Sequence, residues 1–427
     1  PRWFYAIFAT DLPNKKFAKN KTYDEVVKRF SAYVGTSFQK GVTASGLPVE
    51  VYALFGGQWP HSSYMIPGGV MSAPTLKDVT RANAIMNQFR NDWLESIWLG
   101  CSIERYLQIK TWDDMLAWVD ENESQHNSDL GLFIRASLEF GLDKIGQGCG
   151  NYIAFGTYLH KDLYNHPTIE GRNDALISPS GFYDSHEKKY YDFDQMQVKE
   201  HVSHSWYEDV DPAHPWKEVA PVPLSTATNL DNSDFTKKYS WAKAPRYMDQ
   251  VAEAGPLARC IMYGKPDLLP HQIHDPLFTD IMDKLGPSVF TRTLARMHEA
   301  PRLYNYIMEW LSEIDLDGEF YIKPEEKDGI GFGATEAARG ALAHWVEIKD
   351  GVIKNYQVIA PSTWNIGPND EKGTAGPMES ALVGIEVEDP TNPVEVGLVA
   401  RSFDSCLVCT VHAHDQKTGE ELAKFKL

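Results

Sequence analysis

From Thr75 to Gly100 apolar residues return every three or four positions, at Val79, Ala82, Met86, Phe89, Trp93 and Ile97, a period that a β-strand does not have. The spacing predicts one long amphipathic helix. Thr75 followed by Asp78 has the form of a capping box, and Gly100 stands where a helix usually stops. A second helix is expected from Thr111, again with an acidic residue three positions on at Asp114. A third is expected from Ser288 to Ile314 through Leu294, Met297, Tyr304, Ile307, Met308 and Leu311, kinked at Pro301. Between Asn165 and Pro245 the pattern turns to Pro, Asp, Asn, Ser and His with short apolar pieces, which predicts loops and short strands that cover the core rather than form it. Further on, Trp345–Ile348 and Val352–Ile359 flank Asp350-Gly351, a dipeptide that favours a tight β-hairpin turn. The fold class expected is α-rich mixed α+β, a helical core with peripheral short strands and hairpins.

With 427 residues, 43% of them hydrophobic, the chain can bury a large core, and it is read as one domain over residues 1–427. Asp and Glu outnumber Lys and Arg by 59 to 41 and no basic run supplies a phosphate-binding face, so nucleic acid is excluded as a partner. No stretch approaches the apolar length of a membrane span, and the aromatic N-terminal run Pro1 to Thr10 is not a standard signal peptide. The expectation is a cytoplasmic chain with no direct membrane span, which reaches a membrane, or is exported, only through a partner. The five cysteines are odd in number and widely scattered, which is not a disulfide framework. Cys101, Cys149 and Cys260 are read as buried small hydrophobes.

Only Cys406 and Cys409 have a spacing with chemical meaning. The segment from Arg401 to His412 gathers two thiols and an imidazole, and a separation of three places both sulfurs on one side of a turn, able to grip one soft metal ion. On spacing alone the pair is open to several readings: a redox dithiol, half of a zinc site, two ligands of an iron–sulfur cluster, or two core cysteines. In the same way Arg339 reads as a helix-surface arginine, Ser362 as a turn cap, Asp404 as a helix N-cap and His412 as a core histidine.

Several ordered blocks narrow these readings. They are Glu336-Ala-Ala-Arg-Gly-Ala-Leu-Ala-His-Trp345, Pro361-Ser-Thr-Trp-Asn365, the run Gly373 to Leu382, and Asp404-Ser-Cys-Leu-Val-Cys-Thr-Val-His412. Upstream stand His61 to Gly69, Gly150 to Gly156, His204-Ser-Trp-Tyr207 and Gly255-Pro-Leu-Ala-Arg259. Together they resemble the large subunit of the nickel-iron hydrogenases over nearly the whole chain. The resemblance implies a hydrogenase large-subunit-like fold and heterolytic cleavage of molecular hydrogen at a nickel-iron centre whose iron carries cyanide and carbon monoxide. Electrons would pass to iron–sulfur clusters on a small subunit. By the same resemblance Cys406 is a terminal nickel ligand and Cys409 a thiolate bridging nickel and iron. Arg339 overhangs the metals, Asp404 helps to hold it, and Ser362 hydrogen-bonds an iron-bound cyanide. His412 and the backbone carbonyl near Val358 are implied ligands of a magnesium ion. Cys406 and Arg339 are the candidate proton acceptors. For the remaining blocks, Gly68-Gly69 and Gly255-Pro256 are read as serving the backbone, and Trp206 and Trp364 as packing.

The pattern breaks in one large respect. The family's second cysteine pair, in an Arg-x-Cys-Gly-x-Cys block upstream of the segment that resembles His61 to Gly69, is absent from this sequence, and with it the glutamate of the proton gate. Two thiolates do not complete a site that takes four, so the expectation is a split large subunit in which a separate chain carries that block. Smaller departures are Ala338 and Ser405 where the family usually has proline, and Asn369 where it usually has arginine. The tail from Ala413 to Leu427 resembles that of a member which needs no C-terminal cleavage. The rival readings are a hydrogen-sensing regulatory hydrogenase and a metal-free structural relative from respiratory complexes; Cys406 and Cys409 argue against the latter.

Overall fold

The computed structural model describes residues 1–163, 171–217, 222–224, 237–325 and 327–405, together with the main chain of 410–414 and 421–426. It is 42% helix and 17% strand, the α-rich mixed architecture that the sequence predicts. The chain divides into two compact units, Pro1–Gly141 with Arg296–Glu326, and Leu142–Ala295 with Lys327–Leu427. Among the described residues no helix is long and apolar enough to cross a membrane.

The first unit is helical, with α1 (Tyr23–Phe30), α2 (Thr36–Ala44), α3 (Gly46–Gly56), α4 (Leu76–Phe89), α5 (Trp112–Val119) and α6 (Asp129–Glu139). Thr75 opens α4 as expected: its hydroxyl accepts from the Asp78 N–H at 3.3 Å while the Asp78 carboxylate accepts from the Thr75 N–H at 2.9 Å. Thr111 and Asp114 repeat the arrangement at α5. The helix after Phe89 departs from the α form and widens into a π-helix over Arg90–Leu99 before Gly100 ends it at φ 68°. The cause is visible in the spacing. Trp93 and Trp98 are five residues apart, and a five-residue turn stacks their rings at 5.8 Å in the core.

In the second unit a four-stranded sheet has the order β6-β1-β2-β3, formed by β1 (Asn151–Ala154), β2 (Gly181–Asp184), β3 (Lys189–Tyr191) and β6 (Glu253–Ala254). Strands β4 (Val198–His201) and β5 (Ala244–Tyr247) pair separately. Strands β7 (Gly329–Ala337), β8 (Gly340–Lys349) and β9 (Val352–Ile359) form an antiparallel meander, and β10 (Thr410–His414) pairs with β11 (Glu421–Lys426). Helices α7 (Pro256–Met262), α9 (Pro361–Ile366) and α10 (Val394–Ser402) belong here, and α8 (Val289–Glu313), with Pro301 inside it, begins here and ends in the first unit. The expected hairpin is present, with Asp350 at φ 54° and Gly351 at φ 72° in its turn.

One expectation is overturned. The stretch from Asn165 to Pro245 does not merely cover the core, because Phe182, Phe193 and Val198 are buried in it beside Tyr247, Trp345, Ile359 and Trp364. Every residue of β2 is buried, so the strand has no polar face to alternate with and its apolar pieces read as isolated.

Candidate metal centre

Strands β7 and β8 join through Ala338 and Arg339, with Ala337 opposite Gly340. A turn this short needs unusual backbone angles, and Gly340 supplies φ 125°. Arg339 therefore stands at the tip of a hairpin and is not the helix-surface arginine that spacing alone suggests. Its Nε donates to the main-chain carbonyl of Asp404 at 2.8 Å, and its Nη2 lies 3.3 Å from Asp404 Oδ1. Asp404 is nearly buried, with a side chain 6% exposed against 32% for Arg339. It follows α10, and its positive φ is not the extended backbone that an N-cap has. Its N–H closes the turn onto the Arg401 carbonyl at 2.9 Å, at φ 53°. A guanidinium that is fixed by a buried carboxylate and a carbonyl keeps its charge in place at a partly open surface.

Arg339 and Asp404 are thus brought together from positions 65 residues apart. Ser362 occupies the first turn of α9, half-buried, with Trp364 and Asn365 buried behind it. Val358 sits in the β8–β9 ladder opposite His344. Cys406 and Cys409 lie outside the described residues. His412 is placed only through its main chain, in β10 opposite Lys424.

The other cysteines are not metal ligands in waiting. Burial pushes the Cys149 thiol up to about 11, with the neighbouring Glu253 charge adding to it, and its Sγ lies 3.6 Å from the Asn151 carbonyl. Cys101 is also raised by burial and accepts from Trp118 Nε1 at 3.3 Å. Cys260 is fully buried, 3.8 Å from the Ala295 carbonyl. Cys101 and Cys149 are half-buried, so the reading of all three as buried small hydrophobes holds in full only for Cys260. Among the described residues no three His, Cys, Asp or Glu side chains gather in a way that would hold a metal ion.

Three residues around the arginine went unassigned in the sequence. Arg259 on α7 pairs with Glu336 at 2.9 Å and also donates to the Ala337 carbonyl at 2.9 Å. Asn365 brackets the main chain of Ala254, donating to its carbonyl at 2.8 Å and accepting from its N–H at 2.9 Å. All three lie inside the quoted blocks, which is the sequence signal that could have marked them.

A family model described as nickel-dependent hydrogenase matches residues 44–412, and the chain belongs to that family. Within it, the chain is 32% identical over 382 residues to the periplasmic [NiFeSe] hydrogenase large subunit of Desulfomicrobium baculatum, covering 87% of this chain and 64% of that one. It is 31% identical to the uptake hydrogenase large subunit of Rhizobium leguminosarum bv. viciae, covering 89% of this chain and again 64% of the other. The chain thus spans slightly less than two thirds of the length of these curated relatives. Among solved structures it is similar to the reduced, active Ni-Fe-Se hydrogenase of Desulfomicrobium baculatum, at a TM-score of 0.69 and 28% identity over 91% of this chain and 72% of that one. The oxidised Ni-Fe-Se hydrogenase of D. vulgaris Hildenborough gives a TM-score of 0.72 at 25% identity, over 95% of this chain and 77% of that one.

Proposed function

We propose that this chain is the catalytic part of a nickel-iron hydrogenase that oxidises molecular hydrogen and hands electrons to an iron–sulfur small subunit. The observation that carries the reading is the Arg339–Asp404 couple, held two residues ahead of Cys406 in a chain of this family. The donor chemistry fits in part. Cys406 and Cys409 would offer two soft thiolates suited to nickel, while Cys101, Cys149 and Cys260 are engaged elsewhere. The remaining sulfur ligands would come from an Arg-x-Cys-Gly-x-Cys segment that residues 1–427 do not contain. His412 and the Val358 carbonyl would hold a magnesium ion, and the cytoplasm is the proposed compartment.

When bound, the nickel-iron centre with its cyanide and carbon monoxide ligands supplies the Lewis acidity that polarises dihydrogen for heterolytic cleavage. The residues of this chain do the rest. Arg339 presents a fixed positive charge to the charge that develops during cleavage, an interaction that is strong because the group is positioned beforehand. Asp404 acts through Arg339 and not on hydrogen. Ser362 would donate a hydrogen bond to a cyanide ligand of the iron, and the Cys406 thiolate or Arg339 would take the proton.

The test is to purify the chain with its native partners, measure nickel and iron, record the infrared bands of iron-bound carbon monoxide and cyanide, and follow hydrogen-dependent dye reduction. Stoichiometric metal with those bands and hydrogen-dependent turnover is the expected result. A complex that contains both cysteine pairs yet holds no nickel and shows no such bands would overturn the reading.

A further inference from the structure

Two buried ion pairs leave the run from Glu253 to Arg259 and reach opposite sides of the Arg339–Asp404 couple. Glu253, on β6, meets Arg292, on α8, through two parallel hydrogen bonds: Nε and Nη2 each lie 2.8 Å from a different carboxylate oxygen, and neither side chain is more than 3% exposed. Arg292 also donates to the main-chain carbonyls of Gly146 and Gln147. A Cβ on Gly148 would come within 2.7 Å of Arg292 Nη2, so the loop wraps closely around the guanidinium. The Arg292 guanidinium lies over the Phe403 ring, 4.1 Å from its centroid, and Phe403 directly precedes Asp404.

On the other side, Arg259 donates to Glu336 and to the carbonyls of Ala337 and Ala338, the residues that run into Arg339. Glu336 is fixed in turn by the Phe155 N–H at 2.6 Å. Between the two pairs, Asn365 brackets the main chain of Ala254 from α9, the helix that carries Ser362. Where β6 gives way to α7 a Cβ on Gly340 would sit 2.5 Å from the Gly255 nitrogen, so the run touches the arginine's own turn.

We propose that the run Glu253 to Arg259 is a clamp that positions the Arg339–Asp404 couple, with Glu253 acting through Arg292 and Phe403 on the aspartate and Arg259 acting through Glu336 to Ala338 on the arginine. This rests on the reading of Arg339 and Asp404 as site residues given above. The couple joins through one hydrogen bond and one 3.3 Å ion pair on a side chain a third exposed, so the two turns that carry it help to set its geometry. Burying two Arg–Glu pairs is a poor way to gain stability, since apolar pairs of equal volume often do as well or better. What the buried pairs add is direction. Each has one low-energy arrangement, because separating it strands a charge in a low-dielectric interior.

The test uses Glu253→Gln and Arg259→Lys in the complex of the chain with its native partners, read by amide hydrogen exchange and by turnover per nickel. With Glu253→Gln, exchange in the segment 398–404 should rise about tenfold or more while 334–341 stays at the native rate, and Arg259→Lys should do the reverse. Turnover per nickel should fall about tenfold in both. If Glu253→Gln does not fold, Phe403→Leu keeps the core apolar and removes only the ring beneath Arg292, and it should loosen 398–404 in the same way. Native exchange in both segments, or a rise shared evenly by the whole second unit, overturns the clamp. The failure of the site reading is separate: native turnover in Arg339→Lys would remove the couple's role and leave the exchange result untouched.

Discussion

Arg339 and Asp404 hold each other twice, once through the main-chain carbonyl at 2.8 Å and once through the carboxylate at 3.3 Å. The first contact does not depend on the aspartate side chain, and the second does not depend on the turn's exact path. Substitutions at the two residues should therefore separate charge from geometry.

Arg339→Lys keeps a cation but loses the planar group that reaches the Asp404 main-chain carbonyl and its Oδ1 together. Turnover is expected to fall on the order of a hundredfold, typical of losing one preorganised electrostatic group, with nickel and iron contents unchanged. Metal analysis beside hydrogen oxidation rates makes the comparison. Near-native rates would place Arg339 outside the site.

Asp404 adopts φ 53°, a left-handed conformation that Asn tolerates and β-branched residues do not. Asp404→Asn should keep the fold and the carbonyl bond, and lose about tenfold in rate through the missing ion pair alone. Asp404→Val should cost a further ~1–3 kcal/mol of stability from backbone strain. Equal unfolding temperatures for the two variants would contradict this account of the turn.

Burial holds His201 and His214 below the usual imidazole range, with the nearby Arg246 cation adding to the effect at His201. The unfolded chain takes up these protons near about pH 6.5, so below that pH it binds more protons than the native state. Stability should thus be level above about pH 7 and lost as the pH falls through 6.5 toward the lowered native values. Thermal unfolding across this range gives the slope. His201→Phe, which fills the space without titrating, should make it shallower, and an unchanged slope would assign the acid sensitivity to other groups.

How much of this was legible in the sequence depends on whether a feature is local. The capping boxes at Thr75 and Thr111 and the Asp350-Gly351 turn are settled by residues within four positions of each other, and all three appear as expected. Strand β7 went unnoticed because its glycines, at Gly329, Gly331 and Gly333, occupy alternate positions and give no polar face to contrast with Ile330 and Phe332. The π-helical widening after Phe89 was hidden in a spacing that also suits an α-helix. At the site, the family blocks named Arg339 and Asp404 correctly as neighbours, but nothing in their spacing could place Arg339 on a hairpin. The roles of Glu253, Arg292 and Arg259 depend on contacts across 39 and 77 residues, which no local pattern records.

If Cys409 is a thiolate ligand of both metals, as proposed, Cys409→Ala should abolish the dinuclear centre, because alanine offers no donor in its place. Elemental analysis of the purified complex decides the matter. Full nickel and iron occupancy in the variant would remove Cys409 from the ligand set.

The last expectation concerns ligand number. As proposed, Cys406 and Cys409 would provide two sulfurs, while Cys101, Cys149 and Cys260 lie in the structure against Trp118, the Asn151 carbonyl and the Ala295 carbonyl, away from one another's partners. Nickel should therefore not bind stably to residues 1–427 alone, and should bind once a polypeptide bearing an Arg-x-Cys-Gly-x-Cys segment is supplied. Equilibrium dialysis of residues 1–427 against nickel, with and without that segment, separates the possibilities. Stoichiometric, thiolate-bound nickel on residues 1–427 alone would show that the segment is not needed to complete the site.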